Sequence, residues 1–166
     1  TITLTGDCEF DAVTVSSGDT LDLNGQRMEC SGTFTNTGTT NYGGSPAILI
    51  APLFNIDGAS DEEAGATLIF TGSGTNDLSD AEFVGDATTT LFFNTPSGCD
   101  IGSSGLSTSF AGNAIIGAGQ VDDKSGDGDE KSTTYTNLTI ATGGTYDAET
   151  ATINVKGDFT TSGGLI

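Results

Sequence analysis

Leu68-Ile69-Phe70, Leu91-Phe92-Phe93 and Ala114-Ile115-Ile116 are three apolar triplets spaced 23 residues apart. A fourth, Leu138-Thr139-Ile140, follows one residue late. Asp77, Asp100 and Asp123 recur at the same 23-residue spacing, and Leu78 falls on Ile101. A fixed period of about 20–50 residues marks a solenoid or a repeat array. Each unit here holds one short apolar run followed by a stretch rich in Gly, Ser, Thr and Asp, which suits a strand and its turns rather than a helix. One such unit cannot bury its apolar face alone, but stacked on a copy of itself it can. Stacking predicts internal rows about 4.8 Å apart, with Leu68, Leu91 and Ala114 in one and Phe70, Phe93 and Ile116 in the next. A β-sandwich with an accidental repeat is the alternative, since turn signals at short intervals also describe that fold.

The two ends of the chain also resemble each other. Residues 10–39 align with 135–164 without a gap, and eight of the thirty pairs are identical, among them Thr14/Thr139, Asp22/Asp147 and Phe34/Phe159. The offset of 125 residues reads as about six coils of roughly 21. Within the first of these modules, Val13 and Val15, Leu21 and Leu23, and Met28 and Cys30 form three alternating segments. Alternation turns every second side chain to one face, and Gly18, Gly25 and Gly32 stand where the backbone must turn. This is the pattern of a coil with several flat sides. Residues 40–66 contain the strand-like Ala47-Ile48-Leu49-Ile50, whose register the sequence leaves open.

At 166 residues the chain reads as a single domain, residues 1–166, and a fragment or ordered part of a longer one. Its apolar fraction of 34% is low for a globular protein but suits a narrow solenoid interior. Helical periodicity is lacking, apart from a helical turn expected near Asp61-Glu62-Glu63-Ala64. The net charge of −19, with four basic residues, argues against nucleic acid as a partner and against anionic membranes. No apolar run is long enough for membrane insertion as a helix. Cys8, Cys30 and Cys99 are odd in number, so free thiols are favoured over an inter-coil Cys8–Cys30 disulfide.

Two segments carry a family resemblance: FDAVTVSSGDTLDLNGQRMECSGTFTNTG (10–38) and YTNLTIATGGTYDAETATINVKGDFTTSGG (135–164). They resemble the Gly/Thr-rich β-helical repeats of tailed-phage structural proteins, and also coils of large bacterial surface adhesins. The resemblance covers both ends well and the middle in style. It implies an all-β, right-handed parallel β-helix (β-solenoid) with coils of about 20–24 residues. It further implies a non-enzymatic virion protein, a fibre, spike or capsid decoration, that assembles with other virion structural proteins. A homo-oligomer, a trimer by the family pattern, and a cell-surface glycan or receptor are the partners it implies.

Enzymatic sites of the glycan-cleaving β-helices need more than carboxylates, and the chain has no Trp for sugar stacking and no His for proton transfer. The candidate site is a metal site. In Asp122-Asp123-Lys124-Ser125-Gly126-Asp127-Gly128-Asp129-Glu130 the acidic residues alternate as in the opening of a calcium loop. Calcium takes six to eight oxygen ligands, so Asp123, Asp127 and Asp129 are the expected ligands, with backbone carbonyls completing the shell. The twelfth position is Thr134 rather than Glu, unlike an EF-hand. A solvated acidic loop is the other reading.

Overall fold

The computed structural model describes residues 1–43, 46–56, 59–61, 65–78, 82–83, 89–101, 112–123, 132–148 and 152–166. These form an all-β parallel solenoid, with no helix among the described residues. The helical turn expected at 61–64 falls mostly outside them, and Asp61 itself ends a strand, Ala59–Asp61.

Three faces wind around one core. The first face stacks eight strands: Cys8–Phe10, Arg27–Cys30, Ile48–Ala51, Thr67–Phe70, Thr90–Asn94, the start of Asn113–Asp123, Asn137–Ile140 and Phe159–Thr161. Cys8, Met28, Leu49, Leu68, Leu91, Ala114, Leu138 and Phe159 lie in one continuous row. Successive coils therefore measure 20, 21, 19, 23, 23, 24 and 21 residues. The second face includes Val13–Val15, Phe34–Asn36, Phe54–Ile56, Cys99–Ile101, the end of Asn113–Asp123 and Gly144–Asp147. The third runs from Ile2–Thr3 through Thr20–Asp22, Thr39–Asn41 and Ala59–Asp61 to Glu82–Phe83, and resumes as Ser132–Tyr135 on Thr152–Val155.

The predicted rows are present. Leu91 pairs with both Leu68 and Ala114, and Phe93 with both Phe70 and Ile116, in parallel register. All three members of the second row are fully buried. The register left open in the sequence is settled too, since Leu49 lies between Met28 and Leu68. Phe70 and Phe93 stack at a centroid distance of 4.4 Å, and Phe54 sits 4.5 Å from Phe70. Phe54 comes from the second face, so this aromatic column ties two faces across the interior.

Two register expectations are corrected. The 125-residue repeat does not join equivalent positions: Val13 and Phe34 are on the second face, whereas Leu138 and Phe159 are on the first. The offset is five coils plus two faces, not six coils. All three faces share one in–out alternation with turns between them, so a slip of one face preserves the apolar pattern. The aspartate ladder is also displaced. Asp100 pairs with Thr75 and Asp122, Asp123 pairs with Ile101, and Asp77 bridges Asn55. An irregularity at Phe93/Asn94 sets Asn94 opposite Ala118, so the corner between faces changes length from coil to coil. A one-residue slip exchanges inside for outside.

The long strand Asn113–Asp123 turns that corner without a break, at Gly119 with φ of 77°. A Cβ there would collide with the Thr95 carbonyl oxygen. Gly119→Ala should therefore lower the melting temperature by several degrees, as a strained left-handed residue that also displaces the neighbouring coil. Phe93→Ala should cost about 3–5 kcal/mol in reversible urea unfolding. A loss below about 1 kcal/mol would mean that the aromatic column does not carry the core.

Candidate functional site

Of the three expected calcium ligands, Asp127 and Asp129 lie outside the described residues. Asp123 is described, and its side chain is fully buried. Along its strand Val121 and Asp123 point into the core, while Asp122 between them faces out. Tyr146 Oη donates to Asp123 Oδ2 at 2.7 Å, and Thr133 Oγ1 donates to the same oxygen at 3.1 Å. The Tyr135 and Tyr146 hydroxyls are 3.1 Å apart, with their rings edge to face. Two faces thus meet at one buried polar knot: Asp123 and Tyr146 come from adjacent coils of the second, Thr133 and Tyr135 from the third.

The outward neighbours make a different feature. Thr75, Asp100, Asp122 and Asp147 follow one another in register down the second face. Gln120 Nε2 donates to Asp122 Oδ1 at 2.5 Å, and Thr75 Oγ1 to Asp100 Oδ2 at 3.4 Å, so neutral donors partly offset the like charges. An open groove of about 360 Å³ runs beside this column, lined by Ser73, Ser97, Cys99, Asp100, Gln120 and Asp122. Among the described residues no group of three or more His, Cys, Asp or Glu side chains is placed to hold a metal. Asp123 Oδ2 is thus engaged within the protein by Tyr146 and Thr133.

Sequence reasoning missed the buried knot, though a signal was present. Val121 and Asp123 stand two residues apart and so share a side of their strand. It also missed the asparagines at the coil corners. Asn76 is buried, accepts from Phe54 N at 2.9 Å and donates to Asp100 O at 3.3 Å, which bridges three coils. Buried Asn36 accepts from Gly38 N at 3.0 Å. Each supplies hydrogen bonds where the backbone leaves the ladder at a corner.

The three cysteines are free thiols. Cys8 pairs with Met28 and Phe10 with Cys30, so the two cysteines are diagonal neighbours rather than stacked. Burial pushes the Cys30 and Cys99 thiols up to about 11, which leaves both protonated and poorly nucleophilic at neutral pH. Desolvation likewise raises Tyr135 and Tyr146 well above the usual phenol range.

Comparison with protein-family models, curated proteins and solved structures gives no match for this chain.

Two outcomes follow from the knot. Tyr146→Phe removes a donor to a buried carboxyl oxygen and should destabilise the fold by about 1–3 kcal/mol at neutral pH. The raised tyrosines favour the folded state while they stay protonated. Their contribution is complete below the unfolded phenol value, near pH 10, and falls as pH rises toward the folded value. Each should lose about 1.4 kcal/mol of stability per pH unit above that point. Urea midpoints between pH 8 and 11 should show the decline, to which the raised Cys30 and Cys99 thiols also contribute, and Tyr146→Phe should make it shallower above pH 10; an unchanged slope there would mean the ring is not buried as described.

Proposed function

We propose that this chain is a non-enzymatic structural segment of a virus particle, serving as the rigid rod of a phage fibre, spike or capsid decoration. The observation that carries this reading is the first face, where eight strands from Cys8–Phe10 to Phe159–Thr161 stack in parallel over a continuous inner row. Along this face each coil is joined to the next by parallel strand pairing, so bending or stretching must break a ladder rather than swing a hinge. The resemblance of residues 10–38 and 135–164 to tailed-phage repeats supplies the virion assignment. Its partners in this reading are other virion structural proteins, with a cell-surface glycan or receptor met by the turns. A passenger segment of a bacterial surface adhesin is the second reading, supported by the same repeats. Antibody raised against the chain should label purified particles in electron micrographs, and labelling of the bacterial surface alone would select the adhesin. Incubation with a panel of bacterial polysaccharides should release no reducing ends; release would overturn the non-enzymatic reading in favour of a glycan-active β-helix.

Calcium belongs to this proposal through Asp123, Asp127 and Asp129, supported by the outward column of Asp100, Asp122 and Asp147 on the neighbouring strand positions. Stacked carboxylates repel at strand spacing, and a divalent ion relieves that repulsion. Millimolar calcium should raise the melting temperature by binding only the folded form. Asp127→Ala should cancel the rise, and a flat titration leaves the loop merely solvated.

A further inference from the structure

The corner between the third and first faces holds a chemically labile dipeptide. Leu23-Asn24-Gly25-Gln26 joins strand Thr20–Asp22 to strand Arg27–Cys30, and Gln26 N donates to Leu23 O at 2.9 Å. Asn24 has a φ of 50° and Gly25 a φ of 72°. A type I′ turn needs positive φ at both central residues, and Asn-Gly is the pair that supplies it. Gly43 and Gly65 stand at the same corner of the next two coils, with φ of 68° and 89°. Among the described residues Asn24 is the only non-glycine residue with positive φ. Its side chain adds a bond that glycine cannot make, since Nδ2 donates to Leu4 O of the preceding coil at 3.1 Å. Asparagine is a labile side chain, and a following glycine leaves the attacking backbone nitrogen unshielded because it has no Cβ.

We propose that Asn24-Gly25 is a latent deamidation site, held shut by the coils on either side of it and opened when they part. In the reaction the Gly25 backbone nitrogen attacks Asn24 Cγ. A C–N bond forms, the Cγ–Nδ2 bond breaks, and ammonia leaves with the proton that Gly25 N gives up. Water then opens the five-membered imide at either carbonyl, to an aspartyl or an isoaspartyl linkage. No oxidant, reductant or co-reactant other than water takes part. Asn24 is exposed, so water reaches it in the folded chain, and the restraint is geometric. The side-chain amide is drawn to Leu4 O of the coil before, whereas Gly25 N donates at 2.8 Å to Tyr42 O of the coil after. The two atoms that must join are thus pulled in opposite directions along the rod axis. Asn24 N donates to Asp22 Oδ1 at 2.8 Å, and Gln26 Nε2 to Asn24 O at 3.2 Å, which fixes the main chain between them. The following coil also packs closely on the turn, where a Cβ added at Gly43 would lie 2.5 Å from Asn24 Cα.

The products fit this corner poorly. Either one replaces a donor to Leu4 O with a carboxylate, beside Asp22 and on a chain already carrying −19. The isoaspartyl linkage also lengthens the main chain by one atom, at a turn with no slack against Gly43. Opening followed by deamidation is therefore one-way: the altered corner no longer re-forms all its bonds to both neighbours. The site is independent of the particle or cell surface to which the rod belongs.

Peptide mapping by mass spectrometry tests this on the 166-residue chain, held at mildly alkaline pH in buffer and in concentrated urea. In urea Asn24 should convert ahead of every other asparagine, and in buffer at least about tenfold more slowly, as for a reaction that requires local opening. Asp22→Ala removes the acceptor for Asn24 N and leaves the inward side chains untouched. It should raise the rate in buffer several-fold with circular dichroism unchanged, and leave the rate in urea where it was. Chains converted in urea and returned to buffer should melt several degrees lower than unconverted chains treated the same way. Equal rates in buffer and urea, no conversion of Asn24 in urea, an Asp22→Ala rate in buffer no faster than that of the parent chain, or converted chains that melt like the unconverted ones would each overturn the proposal.

Discussion

The structure depends on parallel stacking of successive coils in register. No coil of 19–24 residues has a core of its own; each buries its apolar side chains only against the coil above and the coil below. The inner rows and the inter-coil hydrogen bonds are therefore one cooperative object. Keeping Leu68 on Leu91 on Ala114 keeps the ladder aligned, and the aligned ladder holds the row dry. The narrow interior explains a composition that would be too polar for most globular domains. Few large residues are needed, and the aromatic ones are concentrated where Phe34, Phe54, Phe70 and Phe93 form a continuous column.

Corners are where this regularity is negotiated. Between faces the backbone leaves the ladder and its polar groups need other partners. Asn36 and Asn76 supply them from inside, and Gly119 allows one strand to turn without interruption. Corners also absorb changes in coil length, so that one face can stay in register while the next slips by a residue. The displaced aspartates show the consequence. Asp122 joins the outward column with Asp100 and Asp147, while Asp123 enters the core and is held by Tyr146 and Thr133. Two adjacent carboxyls of the same type thus take opposite roles because of which side of a strand each occupies.

The outward surfaces divide the same way. The second face presents acidic and hydroxyl side chains to water, whereas the first presents Ile50, Ile69, Phe92 and Ile115. A rod whose inner rows are satisfied has no structural need for apolar side chains outside. They occupy four consecutive coils, with Glu9 and Glu29 before them in the same row and Thr139 and Thr160 after.

Residue spacing alone determined the all-β solenoid, the coil period and the inward rows, because period-two alternation and a repeat near 23 residues survive in any listing of the chain. Val13, Leu21 and Met28 already marked three sides of a coil. What spacing could not decide was which face a repeated residue occupies. The three faces obey the same alternation, so the 125-residue repeat aligned second-face strands with first-face strands. Corner length is likewise invisible in the repeat, yet one residue more or less at a corner exchanges inside for outside. Only the tertiary register at Asn94 and Ala118 turned Asp123 inward and Asp122 outward, and only the stacking of coils brought Ile50, Ile69, Phe92 and Ile115, far apart in the chain, into one exposed row.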